Sequence, residues 1–348
     1  MTLKIFNGKK NITSHQADSK EMDSFRDLID TAILKEHYDS KDDRHYDYYH
    51  PSELGKCLRK QQYNHYASTK RIKKGYSPFP SQKYRLFDKG HNMHLRWQRY
   101  FGEIDNILMG RLQCTNPLCH LFDDHGKILN TDIISSLYEK NKSRIYPLDN
   151  YLSISLKPEK CICGNTHFDY RETPVFSEEL KIKGNSDLVI NCDHLNMDAF
   201  KDVLVKFDKR FLPQDGRKVV IDMKTIGSNA WKNQVLSRGV HKDYIIQLIS
   251  YIHLLNCDYG IVIYENKDDS QLALFKIERN DNLWGVIKFQ LEEMVKMRET
   301  GSLPYPKATS KIDNMCKDCD FRSLCHKSEI WKNPNLDQCR ADFYKSTL

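Results

Sequence analysis

The chain lacks any long apolar run, and no stretch approaches the roughly 18 consecutive apolar residues that a membrane-spanning helix needs. Its first residues, MTLKIFNGKK, also lack the apolar core of a secretory signal. A phosphate-binding loop of the type Gly-x4-Gly-Lys-Ser/Thr is absent too. These absences lead us to expect an intracellular (cytoplasmic) protein with no membrane segment and no nucleotide-driven motor built on that loop.

The composition is that of a globular chain with a moderate excess of positive charge. Its 348 residues, 39% of them hydrophobic, suffice for one large domain with insertions or for two smaller domains. The formal net charge of +7 fits a polyanionic partner without requiring one. Eleven cysteines are more informative, because clustered cysteines in a reducing compartment more often hold metal than form disulfides.

A basic segment interleaved with aromatic residues begins in a helix that the sequence predicts after Pro51 and the capping residue Ser52. Basic side chains follow a phosphate backbone and aromatic rings stack on bases, so the segment suits single-stranded nucleic acid. A solvated face over a core of tyrosines explains the same composition equally well. The residues that we select as nucleic-acid contacts are Arg59, Lys60, Lys73, Lys74 and Arg85.

Two cysteine pairs lie between residues 111 and 172, each next to a predicted strand. The four residues are Cys114, Cys119, Cys161 and Cys163. A structural zinc ion takes four soft ligands in a tetrahedron and can hold together a module too small for its own core. The sequence therefore predicts a small zinc-ribbon-like insertion. The alternatives are that His120 or His167 replaces one thiolate, or that the cysteines bind no metal.

Carboxylates stand at the ends of two predicted strands in the middle of the chain. GNSDLVI places Asp187 before an apolar strand, and VVIDMKT places Asp222 at the end of a β-branched one. Alternate side chains of a strand share a face, so Asp222 and Lys224 lie together while Met223 points away. One ammonium and two carboxylates are then expected at neighbouring strand ends.

Three side chains from predicted helices complete this pattern. His94 lies in a helix expected from Lys83 to Phe101, and a lone histidine there is more often packed than a ligand. Gln247 and Tyr251 are four residues apart in a later helix and share one side of it. The ordered set is much harder to obtain by chance than any one pair.

Phosphodiester hydrolysis needs an activated water and neutralisation of negative charge, which divalent ions held by carboxylates supply together. We expect Asp187, Asp222, the nitrogen of His94 and the Met223 carbonyl to hold Mg²⁺ or Mn²⁺. Lys224 is expected to orient or help deprotonate the attacking water and to counter the developing charge. The last two catalytic residues, expected to position Lys224 or the DNA backbone, are Gln247 and Tyr251.

A second cysteine cluster lies near the C-terminus in MCKDCDFRSLC. Cys316, Cys319 and Cys325 form a Cys-x2-Cys-x5-Cys pattern that lacks a fourth ligand for a closed tetrahedral or cubane site. Cys57, far upstream in GKCLRK, is able to supply that ligand.

The ordered motifs GHNMH, GNSD, IDMK and QLISY resemble those of the RecB-like nucleases of the PD-(D/E)xK superfamily. With Cys57 and CKDCDFRSLC added, the chain resembles the iron-sulfur exonuclease branch, which includes CRISPR-associated exonucleases and AddB-type nuclease domains. In that branch one cysteine before the nuclease core and three after it bind a 4Fe-4S cluster. Asp222 stands where glutamate is commoner, and its shorter arm is expected to shift the metal. The insertion is similar to one in some phage-encoded relatives.

The resemblance implies an α/β fold with a restriction-endonuclease-like core, in which helices flank a mixed central β-sheet. It implies a core of residues 51–110 and 173–330, closed by an iron-sulfur clasp of Cys57, Cys316, Cys319 and Cys325. Residues 1–50 are then an N-terminal arm and helix, 111–172 the zinc-ribbon-like insertion and 331–348 a C-terminal tail.

The expected function is a metal-dependent DNA exonuclease that acts on single strands or DNA ends in recombination, repair or end processing. Because the chain has no phosphate-binding loop, any unwinding requires a helicase or recombination partner protein. One alternative is a DNA-binding adaptor subunit with this fold and little catalysis. A zinc-only binding protein without iron is the other.

Overall fold

The computed structural model describes residues 19–39, 46–72, 80–104, 107–116, 163–191 and 217–344. The described residues fall into two compact units, one within Met1–Arg44 and Pro78–Lys89 and the other within His45–Ser77 and Gly90–Leu348. The first unit contains an ion pair between Arg85 Nη1 and Asp30 Oδ1 at 2.8 Å. Within the described ranges, no helix combines the length and apolar character needed to cross a bilayer.

Four helices come first in the described chain, seven strands follow them, and two further strands lie between later helices. The helices are α1 (Ser19–Asp39), α2 (Pro51–Leu54), α3 (Leu58–Ser68), α4 (Ser81–Gly102), α5 (Ser228–Ala230), α6 (Leu236–Arg238), α7 (Lys242–Leu254), α8 (Asp281–Thr300), α9 (Arg322–His326) and α10 (Leu336–Phe343). A π-helical segment, Trp231–Val235, joins α5 to α6. The strands are β1 (Leu108–Met109), β2 (Arg111–Cys114), β3 (Phe168–Arg171), β4 (Thr173–Ser177), β5 (Ile182–Ser186), β6 (Leu188–Asn191), β7 (Lys218–Ile226), β8 (Tyr259–Asn266) and β9 (Leu272–Glu278).

A five-stranded mixed sheet in the order β1-β6-β7-β8-β9 forms the centre of the second unit. Only β7 and β8 are parallel, and α7 lies in the connection between them, as a parallel pair requires. Two smaller antiparallel pairs, β2 with β3 and β4 with β5, lie outside this sheet. The expected mixed α/β fold with helices around a central mixed sheet is confirmed.

Alternation along β7 divides its side chains between two apolar clusters. Val219, Ile221 and Met223 pack with Met93 of α4 on one face of the sheet. Val220 belongs to the larger cluster on the other face, together with residues of α7 and α8. The side chains at even-numbered positions of β7 therefore face α7. Asp222 and Lys224, at the polar end of the strand, are two of these positions.

Gly260 marks a close approach between β8 and α7. A Cβ on this buried residue would lie 2.6 Å from both Cγ and Cδ2 of Leu248, which is itself fully buried. We expect Gly260→Ala to lower the free energy of unfolding by about 1–3 kcal/mol through overpacking, measured by urea denaturation. The control is Gly285→Ala on the exposed side of α8, where a Cβ meets nothing within 4 Å. Equal effects of the two substitutions would contradict the packing argument.

Candidate active site

Antiparallel pairing of β6 with β7 brings the two expected carboxylates together. Leu188 pairs with Ile221, so Asp187 and Asp222 occupy the next positions along the two strands. The backbone N–H of Met223 donates to Asp187 Oδ2 at 2.7 Å, which holds that carboxylate against the end of β7. Asp222 is fully buried, and Asp187 is nearly so.

A close approach of the chain before Asp187 explains the glycine of GNSD. Gly184 lies in β5, and a Cβ there would come within 2.9 Å of Pro51 Cδ and 3.9 Å of the Tyr251 hydroxyl. Because a proline ring cannot swing aside, glycine allows β5 to pass close to α2 on its way to Asp187.

Lys224 forms a buried ion pair with Asp222. Its Nζ lies 2.8 Å from both Asp222 Oδ1 and Asp222 Oδ2. Gln247 Nε2 donates to Asp222 Oδ1 at 3.0 Å and to the Tyr251 hydroxyl at 3.1 Å. The structure thus brings the strand pair Asp222 and Lys224 together with the helix pair Gln247 and Tyr251. Apart from its contact with Lys224, Asp222 Oδ2 is buried and has no hydrogen bond within the described residues.

The buried pair keeps its lysine charged. Burial alone would lower the pKa of Lys224, but the negative charges of Asp222 and Asp187 outweigh it and raise that pKa. Burial raises the pKa of Asp222 to about 6, and the nearby Lys224 charge partly offsets the increase. The Lys224 ammonium also lies 4.9 Å from the centre of the Tyr244 ring, a cation–π contact that helps to fix it. Lys224 is therefore a cation that is fixed in place and donates a hydrogen bond to Asp222.

Helix α4 carries His94 to the opposite side of Asp187. Arg96 and the indole N–H of Trp97 both donate to Glu265 at the end of β8, and Glu265 is almost fully buried. Gln98 Nε2 donates to the Asp187 carbonyl at 3.2 Å. These contacts fix the rotation of the helix, so His94 faces the strand ends instead of solvent.

His94 touches oxygen atoms with both ring nitrogens. Nε2 lies 3.0 Å from the Met223 carbonyl oxygen, and Nδ1 lies 3.3 Å from Asp187 Oδ1. A neutral imidazole carries one N–H, so one of the contacts joins two electron-rich atoms unless a proton or a cation lies there. Neighbouring ligands of an octahedral Mg²⁺ lie about 3 Å apart, which is close to both distances.

Glu172 joins this group, although the sequence gave no reason to select it. Its carboxylate oxygen, a His94 nitrogen and an Asp187 oxygen lie within 4.8 Å of one another, and they are the only such metal-capable trio among the described residues. Burial and, to a smaller extent, the charge of Asp187 raise the pKa of Glu172 to about 7. Three oxygen or nitrogen donors with the Asp222 carboxylate nearby suit a hard divalent cation.

The two described members of the expected zinc set lie side by side. Cys114 Sγ and Cys163 Sγ are 3.6 Å apart, too far for a disulfide and close to the edge of about 3.8 Å between thiolates on a tetrahedral zinc ion. Asn165 Nδ2 donates to Cys114 Sγ at 3.2 Å. Cys119 and Cys161 lie outside the described residues, so the zinc site stays a prediction.

Cys57 lies near the three C-terminal cysteines. Charge on Cys57 acts on Cys316, Cys319 and Cys325, and burial is the largest cause of the raised pKa of each of these three thiols. Cys57 is the N-cap residue of α3. Among the described thiols, no three sulfurs lie within 4.8 Å of one another.

The expected nucleic-acid contacts have different surroundings. Arg59 is only 5% exposed, and Lys60 is half-buried where its charge acts on Cys319. Arg85 belongs to the first compact unit and pairs with Asp30. Lys73 and Lys74 lie outside the described residues, and the DNA-binding role of all five stays a prediction.

No profile of a known protein family matches the chain, and no curated protein matches its sequence. Among solved structures it is similar to SSO0001, with 14% identity, a TM-score of 0.38 and coverage of 86% of this chain and 96% of that one. It is also similar to the alkaline exonuclease LHK-Exo from Laribacter hongkongensis, with 14% identity, a TM-score of 0.26 and coverage of 37% and 56%. For LHK-Exo in complex with dAMP the identity is 10%, the TM-score 0.33 and the coverage 73% and 89%. TM-scores this low carry no functional argument, so the site is interpreted from its own geometry.

Proposed function

We propose that the chain is a metal-dependent deoxyribonuclease that acts as an exonuclease on single-stranded DNA or DNA ends, in recombination, repair or end processing. The observation that carries the proposal is the buried Asp222–Lys224 pair beside the trio of His94, Glu172 and Asp187. A charged lysine next to carboxylates that converge on one point suits an anionic substrate held by a cation.

His94, Glu172, Asp187 and Asp222 are the residues that would hold Mg²⁺ or Mn²⁺, with the Met223 carbonyl beside them. The bound ion would supply charge neutralisation for the phosphate and an acidified water. That chemistry matches the donor set, since carboxylate, carbonyl and one imidazole are ligands that Mg²⁺ and Mn²⁺ accept.

The protein side chains divide the remaining tasks. Lys224 offers its ammonium to the scissile phosphate and counters the negative charge that develops there. Gln247 donates to Asp222 Oδ1 and so helps to orient that carboxylate. Burial raises the pKa of Tyr251 well above its ordinary value, which keeps the hydroxyl neutral as a partner for Gln247.

We also propose that Cys57, Cys316, Cys319 and Cys325 bind a 4Fe-4S cluster. The proposal is supported by the charge interactions of Cys57 with all three C-terminal thiols and by their Cys-x2-Cys-x5-Cys spacing. The pair Cys114 and Cys163 supports a structural zinc ion in the insertion, with Cys119 and Cys161 as its other proposed ligands.

End-labelled oligonucleotides test the proposed activity. Single and double strands labelled at the 5′ or the 3′ end are incubated with Mg²⁺, Mn²⁺ or EDTA. We expect degradation with either ion and none in EDTA, and the order in which labelled products appear gives the polarity. Protein that binds DNA but degrades no strand with either ion would favour the adaptor alternative.

Metal binding is expected to release protons near pH 6. The raised pKa values of Glu172, about 7, and Asp222, about 6, mean that the folded, metal-free protein holds protons that the unfolded chain gives up. Protonation of these two carboxyls therefore stabilises the folded, metal-free protein. This contribution to the free energy of unfolding is complete below about pH 4 and is lost as the pH rises to about 7. A cation must displace these protons, so affinity for Mn²⁺ rises over the same window.

Calorimetric titration of Mn²⁺ at about pH 6, in two buffers with different ionisation enthalpies, counts the protons released. We expect Glu172→Gln to reduce that number. The matched control is Glu178→Gln, because Glu178 is exposed and its pKa is lowered by a hydrogen bond from Lys181. The same proton count in all three proteins would remove Glu172 from the proposed ligand set.

A further inference from the structure

A cavity of about 460 Å³ lies between α3, the turn after α8 and the residues around α9. It shares no residue with the trio of His94, Glu172 and Asp187 or with the Asp222–Lys224 pair. We propose that this cavity binds one nucleotide unit of a single-stranded nucleic acid, away from the catalytic site. The proposal goes beyond the proposed nuclease activity, and its test is made without a catalytic metal ion.

Arg59 forms the floor of the cavity and is the main reason to expect an anion. Only 5% of the surface of Arg59 is exposed. Nη1 donates to the Pro304 carbonyl at 2.8 Å and Nη2 to Ser328 Oγ at 3.3 Å, while the buried Nε has no hydrogen-bond partner among the described residues. The Cys325 thiol is another neighbour of this guanidinium, and an arginine this buried is almost always paired with an anion.

Two further cations line the cavity. Arg71 lies over the ring of Tyr66, 5.5 Å from its centre, and both Arg71 and Lys327 are exposed. No described carboxylate forms an ion pair with Arg59, Arg71 or Lys327. The two exposed cations therefore suit a negatively charged group such as a phosphate.

Apolar side chains make up part of the remaining lining. Ile72, Leu303 and Leu324 contribute to the wall, and Leu324 is 41% exposed. A ligand that fits must therefore combine an anionic group with an apolar, flat part. A nucleotide has this combination, whereas inorganic phosphate would leave the apolar wall uncovered. The volume lies within the range of about 300–1,000 Å³ for small-ligand pockets.

The floor of the cavity is also close to Cys325. The positive charge of Arg59 acts on that thiol, and Arg59 stacks over Tyr63, which in turn stacks on the buried Phe321. A substitution of Arg59 would disturb this packing as well as the cavity. The rim residues Arg71 and Lys327 are therefore the positions to change.

Binding is measured by fluorescence anisotropy of a labelled oligothymidylate in EDTA, so that no strand is cut. We expect Arg71→Glu and Lys327→Glu each to weaken binding about tenfold and to reduce its salt dependence. The control is Arg322→Glu, an equally large charge reversal on an exposed arginine of α9 that does not line the cavity. Retained far-UV circular dichroism and urea midpoints show that each variant is folded.

Competitors identify the source of the nucleotide. Displacement of the labelled strand by free dTMP indicates a mononucleotide-sized site. Displacement only by a longer strand indicates a site for one unit within a chain. Either result supports the proposal when the two rim variants abolish the displacement. Equal weakening in all three variants would reduce the effect to net charge and overturn it. Unchanged affinity in both rim variants, or displacement by an Asp/Glu-rich peptide with none by nucleotides, would also overturn it.

Discussion

Lys224→Ala is expected to reduce the rate of DNA degradation by at least about a hundredfold, measured with end-labelled single strands and Mg²⁺ or Mn²⁺. The substitution removes the ammonium that lies 2.8 Å from both oxygens of Asp222. It also removes the charge that offsets burial at Asp222, so the pKa of that carboxyl rises further and its proton competes with the metal ion. Charge neutralisation at the phosphate and metal affinity are then lost together.

The matched control is Lys218→Ala, at the other end of the same strand. Lys218 begins β7, and its backbone N–H donates to Asp258 far from the catalytic carboxylates. Lys224→Gln adds a variant that still offers a hydrogen bond to Asp222 but carries no charge, so lost activity in a folded protein is attributable to the charge. Activity of Lys224→Gln within about twofold of the unsubstituted protein would contradict the role given to the ammonium.

The local part of the site follows from the sequence because strands and helices have fixed periods. Two-residue alternation places Asp222 and Lys224 on one face of β7, and the structure has them there, opposite Met223. The four-residue spacing of Gln247 and Tyr251 likewise predicts the contact between them. Both inferences need only the geometry of one element at a time.

Glu172 was missed because its position depends on how separate elements meet. It stands between β3 and β4, which belong to different two-stranded sheets, so no periodic pattern marks it. Its approach to His94 and Asp187 requires the packing of α4, the turn after β3 and the start of β6. The one local signal, an acidic residue in YRETPV among apolar neighbours, is too common to select it.

The same distinction applies to the fold. The antiparallel strands leading to Asp187 were predictable from alternation, and β4 and β5 confirm them. The two-residue strand β1 was not, because its pairing with β6 joins Leu108 to Ile190 across the whole insertion. Long-range pairing of so short a strand is decided by the core that it completes, where Leu108 packs with Ile190.

Removal of the proposed cluster is expected to lower the stability of the protein more than any single core substitution. Cys57 at the start of α3 and Cys316 near the C-terminus are far apart in sequence, and a centre bound to both closes a loop longer than 100 residues. In the chain-entropy account, a cross-link of that kind contributes about 4–5 kcal/mol. The four thiols are half-buried, so without a metal centre they provide only weak packing.

Cys316→Ser and Cys325→Ser test this expectation through iron content, brown visible absorbance and the urea midpoint of unfolding. Each should lose iron and colour, unfold at lower urea and become sensitive to proteases after the end of α8 at Thr300.

Cys339→Ser is the matched control, because Cys339 lies in α10 of the same C-terminal segment and contacts Tyr305. The rings of Phe321 and Tyr63 stack with their centres 5.2 Å apart, and loss of the centre is expected to loosen this packing of the C-terminal segment on α3. Zinc in place of iron, or a Cys316→Ser protein as stable as the Cys339→Ser control, would contradict the iron-sulfur clasp and leave the C-terminal segment held by packing alone.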